Sequence, residues 1–441
     1  MTSGAAHVLT EDQFTGLANG TCSVRTVRRL VRTQNSKQRL LLWGVVDQAR
    51  RRGHPQAAAA EHAYTMLAAL HRRHRVYVDA VLMQPAARAW AIHTLRALCG
   101  GPARDSAVPG ALAALAAAAL VRSRTSAAID LPVCDGSVML PGVGQIMAGN
   151  AGRTVFLRST TTGAQVTGDG VRVAIPAAYG VDAPGWRGLR TLSATAQGVP
   201  VRFVLDDLDP YRMPGATLSG RLSPGEVDSW RSAISAAWEL LVRDHHAAAM
   251  EIRAVTTALT PLAPGPSETG CLRSASSQET FGCTALSSPT DIRTLAVTLV
   301  HEVQHAKLNA LMGITPLTMP DDGRRYYAPW RDDPRPIEGL LHGAYAYMMV
   351  SRFWRGERRH ASGAAAMPAH ATFARWRAAA LDVVGTLLDS GRLTRPGNVF
   401  VTAMREPLAA WNAEPVPSQA QEWARHEADR HRLRWEARNR N

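Results

Sequence analysis

Cysteine, lysine and long apolar runs are all scarce in this chain. Five cysteines (Cys22, Cys99, Cys134, Cys271 and Cys283) are scattered over 441 residues, odd in number and never in a CxxC pair. That excludes a disulfide framework or a zinc ribbon and fits free thiols in a reducing, cytoplasmic compartment. Lysine occurs only at Lys37 and Lys307, so arginine carries nearly all the positive charge. No apolar run reaches the roughly 18 residues of a membrane span. The longest, from about Ala111 to Val121, is alanine-rich and too short. Met1 to Thr10 holds no basic segment followed by an apolar core, so no secretory signal is expected. The net charge is +14, but no nucleic-acid reader motif accompanies it. Basic residues gather only near the C-terminus (Arg425, Arg430, Arg432, Arg434, Arg438), where a solvated helix is expected. The expected partners therefore include neither nucleic acid nor membrane. Pro141-Gly-Val-Gly144 lacks the third glycine and following helix of a dinucleotide loop, and is expected to be a turn.

What is present is ordinary for a soluble globular protein: 46% hydrophobic and 20% charged residues. The patterning predicts an α+β, mainly helical fold in three stretches. Residues 1–125 carry apolar residues at helical spacing, in Val24 to Thr33, Arg39 to Arg51, Ala57 to Arg75 and Ala86 to Leu98. Residues 126–222 switch to short β-branched runs between Gly and Pro: Ser137 to Leu140, Thr154 to Leu157, Val171 to Ile175 and Val201 to Leu205. An antiparallel β region is expected there, closed by a polar turn at Asp206-Asp207-Leu-Asp209. Residues 223–441 open on a capping box, Ser223-Pro-Gly-Glu226, heading a helix to about His245. A strand pair is expected next (Met250 to Leu259, Gly270 to Leu286). Helices over about 334–354 and 368–390, a loop and a basic C-terminal helix from about Ser418 complete the region.

The most specific signal lies in this last region, in Thr298-Leu-Val-His301-Glu302-Val-Gln-His305-Ala-Lys307. It is an HExxH motif. On a helix His301 and His305 share a face, so both imidazoles can address one ion, with Glu302 about 100° further round. Imidazole suits zinc and iron alike. Ser288-Pro289-Thr290-Asp291 supplies a start, with Ser288 as N-cap, and Gly313 with Pro316 supplies an end. A catalytic metal usually takes a third protein ligand. Glu338 and His342, four apart in Pro334-Arg-Pro-Ile-Glu338-Gly-Leu-Leu-His342, are both candidates. Between the two segments lies a stretch dense in arginine and aromatics, Arg324-Arg-Tyr-Tyr327-Ala-Pro-Trp330-Arg331 to Arg335. Beside a metal, guanidinium forks suit a dicarboxylate cosubstrate or an acidic peptide.

His301-Glu302-Val-Gln-His305-Ala-Lys307-Leu, Tyr326-Tyr-Ala-Pro-Trp330-Arg331, Pro334-Arg-Pro336 and Leu341-His342-Gly343 together closely resemble the HExxH peptide-modification family of bacterial natural-product clusters. The resemblance covers about Leu299 to Trp354 and is looser elsewhere. It implies an Fe(II)- and 2-oxoglutarate-dependent hydroxylase acting on side-chain β-carbons of a ribosomally synthesised precursor peptide. It implies His301, His305 and His342 as metal ligands, 2-oxoglutarate received by Arg331, Arg335 and Tyr327, and Glu302 as a catalytic or orienting carboxylate. Some members carry Gln in place of His342 and His in place of Tyr347, so Glu338 stays open as the third ligand. The motif alone supports an alternative, a zinc-dependent metallopeptidase with Glu302 as general base.

Overall fold

The computed structural model describes residues 8–100, 107–150, 152–264, 272–289 and 291–439. Cys271, Gly270 and Thr290 lie outside the described residues. The first stretch is helical, as its periodicity predicts: α1 (Glu11–Ala18), α2 (Val24–Arg51), α3 (Ala57–Arg73), α4 (Arg75–Leu82), α5 (Pro85–Leu98) and α6 (Leu112–Ser123). The two segments expected within 24–51 are one continuous helix. Thr33, Gln34 and Gln38, at its middle, are buried polar residues that blank the apolar pattern without breaking the backbone. Leu112 to Leu120 are buried without interruption, so the alanine-rich run of α6 is a core helix.

The β region follows: β1 (Ala127–Pro132), β2 (Ser137–Leu140), β3 (Gly144–Met147), β4 (Thr154–Ser159), β5 (Ala164–Gly168), β6 (Val171–Ile175), β7 (Trp186–Gly188), β8 (Arg190–Ala196) and β9 (Val199–Leu205). β4 alternates exposed and buried residues along its length, as a half-buried strand must. Two antiparallel sheets form, in the orders β1-β4-β5-β6 and β2-β3-β7. Pro141-Gly-Val is the turn between β2 and β3.

The remainder is α7 (Pro224–Asp244), α8 (His246–Val255), β10 (Ala258–Pro261), β11 (Ser274–Ala275), β12 (Cys283–Leu286), α9 (Ile292–Met312), α10 (Ile337–His360), α11 (Ala366–Asp389), α12 (Arg395–Asn412) and α13 (Ser418–Asn439). The Ser223 capping box forms as expected, with both reciprocal hydrogen bonds. The expected strand pair is corrected in two ways. Met250 to Val255 is helical, because Ala249, Ile252 and Val255 bury one face of α8 at helical spacing. The true strands β10 and β12 run parallel, inside a mixed sheet ordered β11-β12-β10-β9-β8. α12, within a stretch expected to be loop, is capped by Thr394 and buries Phe400, Val401, Met404 and Leu408.

Asp206, Asp207 and Asp209 form the expected turn, but it is buried. Asp207 pairs with Arg190 and with Arg221. Asp206 and Asp209 accept backbone N–H groups. Burial drives both above the usual carboxylate range, Asp206 to about 6 and Asp209 to about 7.

The apolar side chains collect in two large clusters. One joins the C-terminal half of α2, α3 to α6 and the sheets β1 to β7. The other joins α1, the start of α2, β8 to β10 and α7 to α12. α2 contributes to both. No helix among the described residues is long and apolar enough to cross a membrane.

Candidate metal centre

α9 begins three residues later than Ser288 and Pro289 suggest. Its N-cap is Asp291, whose carboxylate accepts the Thr294 N–H at 2.7 Å. The helix is amphipathic. Leu295, Leu299, Val303, Leu308 and Leu311 face the core, whereas Thr298, His301 and His305 are only half-buried. His301 and His305 line a cavity of about 630 Å³, between α9, α10 and the edge strand β11. The histidine face thus borders a cavity rather than the apolar core.

His301 and His305 bring their Nε2 atoms to 3.0 Å of each other. His342, from α10, lies alongside: its Nδ1 is 3.5 Å from Nδ1 of His305, and its Nε2 is buried without a partner. His305 therefore turns one nitrogen to each neighbour, and the three rings form a chain rather than a triangle. Among the described residues no group of three His, Cys, Asp or Glu side chains is set to hold a metal ion as it stands. Closing these three rings on one ion requires a ring to turn. Burial, then the proximity of His305, holds His301 down at about 4; burial, then His305 and Arg335, holds His342 down at about 3. Burial lowers His305 as well. All three rings are neutral at pH 7, the form that donates a lone pair to a metal.

Glu302 is buried at the cavity wall. Its Oε1 accepts a hydrogen bond from Ser274 Oγ at 2.7 Å, and its Oε2 is buried with no partner. Ser274 belongs to β11, so the sheet edge orients the carboxylate. Sequence reasoning missed this partner, because a lone serine 28 residues upstream carries no motif.

Glu338 lines the same cavity, one turn before His342, and accepts a hydrogen bond from Gln278 at 3.3 Å. Gly339 and Gly343 flank this turn of α10. A Cβ on Gly343 would sit 2.3 Å from Trp330 Nε1, so glycine there admits the indole. Trp330 stacks on Tyr347 at 4.7 Å and 14°, and Tyr347 packs in turn on Trp376 and His301. Burial pushes the Tyr347 phenol up to about 12. The Gly343 and Trp330 pair was legible as motif residues, but their contact was not.

The arginines divide. Arg335 lines the cavity, lies against Gly339 and donates to Asp333 at 3.0 Å. Arg331 lines the outer rim, is half exposed and donates to the same Asp333 at 2.7 Å. Tyr327 is not brought to the imidazoles. Its hydroxyl pairs with Nδ1 of His431 at 2.9 Å, and its ring packs edge-on to Trp435 beneath Arg432. A cosubstrate contact from Tyr327 therefore lacks geometry: the tyrosine ties the arginine loop to α13. Arg438 and Asn439 add bonds to Asp332. The basic terminal helix is thus a clamp on this loop, more than a solvated tail.

Behind α9, Lys307 pairs with Glu251 at 2.7 Å, and Gln304 with the other oxygen of Glu251 at 3.2 Å. The Cys22 thiol donates to Glu251 at 3.3 Å. Lysine within the motif run thus serves the side of the helix opposite the imidazoles. Against protein-family models and against curated proteins, the chain finds no match.

Proposed function

We propose that this chain is an iron(II)- and 2-oxoglutarate-dependent hydroxylase of β-carbons in a ribosomally made precursor peptide, working in the cytoplasm. The observation that carries the reading is the convergence of two neutral imidazole nitrogens, 3.0 Å apart, on an open cavity with a guanidinium in its wall. Two nitrogens bound to one ion at about 2.0–2.1 Å lie roughly 3.0–3.4 Å apart, so the pair fits a divalent metal. The unpartnered Nε2 of His342 offers the third donor. Bound there, iron(II) with 2-oxoglutarate and dioxygen supplies the oxidation of a C–H bond to an alcohol.

The chain's own residues supply position. Arg335 keeps guanidinium N–H groups toward the cavity while Asp333 holds it in place, which suits a cosubstrate carboxylate. Arg331, at the rim, is the weaker of the two candidates. Glu302, fixed by Ser274, keeps one oxygen free to orient a substrate N–H or a water. Trp330 and Tyr347, stacked on each other and backed by Trp376, form one wall of the cavity.

One observation favours a second reading, a zinc metallopeptidase. Glu302 lines the imidazole cavity with one carboxylate oxygen unpartnered, where a general base for a metal-bound water belongs. One experiment separates the two. The protein is loaded with Fe(II) anaerobically and given 2-oxoglutarate, dioxygen and the precursor peptide encoded beside it. Succinate and a peptide heavier by one oxygen support the hydroxylase. Cleavage that needs zinc, ignores 2-oxoglutarate and vanishes in Glu302→Gln supports the peptidase and refutes the hydroxylase.

A further inference from the structure

The imidazole cavity does not end at α9. A second cavity of about 570 Å³ adjoins it, and the two share Gln278, Asn309, Asp321, Pro336 and Glu338 as lining. Each is within the size range of a small-molecule site, roughly 300–1,000 Å³, so together they exceed what a small cosubstrate needs. At the far end stand Lys37 and Gln34 of α2 and Arg88 of α5. Neither cation is in an ion pair among the described residues. Burial weakens the hold of both on their protons; the Arg88 charge weakens Lys37 further, while the Glu279 carboxylate, which pairs with Arg96, offsets part of the effect at Arg88. The carbonyl end of α9 offsets part of the Lys37 charge, since a Cβ on Gly313 would fall 2.7 Å from its Nζ. Lys37 nevertheless makes no hydrogen bond to that end among the described residues. Arg88 Nε and Gln34 Nε2 are buried donors without a partner, and Gln34 is only 4% exposed. Buried donors left open are costly, and they point to an acceptor that arrives with a ligand. The carboxylates nearer the imidazoles are already engaged: Asp321 with Arg325, Glu338 with Gln278.

We propose that the two cavities are one peptide groove, and that Lys37, Arg88 and Gln34 bind a substrate carboxylate at its far end, from an acidic side chain or a free C-terminus. The inference rests on reading the imidazole cavity as a peptide-modifying centre. It adds the substrate class: a peptide carrying an acid some residues away from the side chain presented to the imidazoles.

The test is capture of random octapeptides, half amidated and half with a free C-terminus, on the immobilised, metal-free full-length protein, with sequencing of the bound fraction. Enrichment of Asp and Glu in both halves assigns the site to a side chain; enrichment of the free-acid half alone assigns it to the terminus. Lys37→Met/Arg88→Met is expected to abolish that enrichment and to weaken a single captured peptide by about tenfold or more. Its affinity for Zn(II) should not change. Should the double variant melt early, Lys37→Glu alone is expected to turn the preference toward Lys and Arg. Capture without acid enrichment, no capture at all, or equal enrichment by the wild type and the variants overturns the proposal. Capture needs neither iron nor turnover. Acidic peptides bound but never oxidised leave the groove standing while the hydroxylase reading falls; oxidised product without acid preference does the reverse.

Discussion

Replacing Lys307 with methionine removes one member of a buried ion pair beneath the imidazole helix. Lys307 and Glu251 are 1% and 5% exposed and 2.7 Å apart. Burial alone would drive the ammonium toward neutrality, but Glu251, helped by Tyr345 and Cys22, outweighs it, and the proton is held more tightly than usual. In Lys307→Met the Glu251 carboxylate keeps Gln304 and Cys22 as donors but loses its only counter-ion among the described residues. Such a loss costs about 3–5 kcal/mol. If all 441 residues unfold together, the unfolding entropy is about 0.9 kcal/mol/K, so the melting temperature should fall by roughly 3–5 °C. Adding Glu251→Gln removes the stranded charge while keeping an acceptor for Gln304. The double variant should therefore recover at least about 2 kcal/mol relative to the single one. Differential scanning calorimetry of wild type, both single variants and the double variant closes the cycle. A single variant within about 1 kcal/mol of wild type, or a double variant no better than Lys307→Met, would refute the view that charge pairing holds this side of α9.

Three further outcomes are expected. His301→Ala and His305→Ala should each lower affinity for Fe(II) or Zn(II) by about 100-fold or more in calorimetric titration, and His342→Ala by about tenfold or more; unchanged affinity in His342→Ala with loss in Glu338→Ala would give the third position to Glu338. Gly343→Ala should cost about 1–3 kcal/mol in urea unfolding and alter tryptophan fluorescence, because its Cβ collides with Trp330. Gly339→Ala meets only the flexible Arg335 at 3.1 Å and should be neutral or stabilising by up to about 1 kcal/mol; equal effects at the two glycines would dismiss the packing account. Asp209 ionises near 3.8 when unfolded but near 7 in the fold, through burial and then Asp206, so the folded chain holds the extra proton between those values and stability falls as pH rises through them. Asp209→Asn keeps an acceptor for the Tyr211 N–H and should stabilise by up to roughly 4 kcal/mol at pH 8 and by almost nothing at pH 4; a gain independent of pH would contradict it.

Much of this molecule was legible from local pattern alone. Helical segments at both ends of 24–51, helices over 224–244 and 292–312, the strand Val171–Ile175 and the capping box at Ser223 follow from periodicity and from side chains that bond within four residues. The pairing of His301 with His305 likewise needs only the pitch of a helix. What local pattern misses is settled by partners far along the chain. Met250 to Val255 has the composition of a strand, yet its apolar face fits a helix packed on α2 and α9. Asp291 displaced Ser288 as the cap, by a single hydrogen bond that composition does not rank. Tyr327 sits in a motif beside Trp330, but the C-terminal helix, more than 100 residues later, draws it away from the cavity. Ser274 reached Glu302, and Lys37 with Arg88 came to the wall of the second cavity, because β11 and α2 pack on α9 and α5 packs on α2. Which donors share a helix face could be read from chain order, since that depends on residues one turn apart. Which groups face those donors, and which are left unpaired, emerges on folding, because burial and charge compensation are sums over neighbours that the chain order does not reveal.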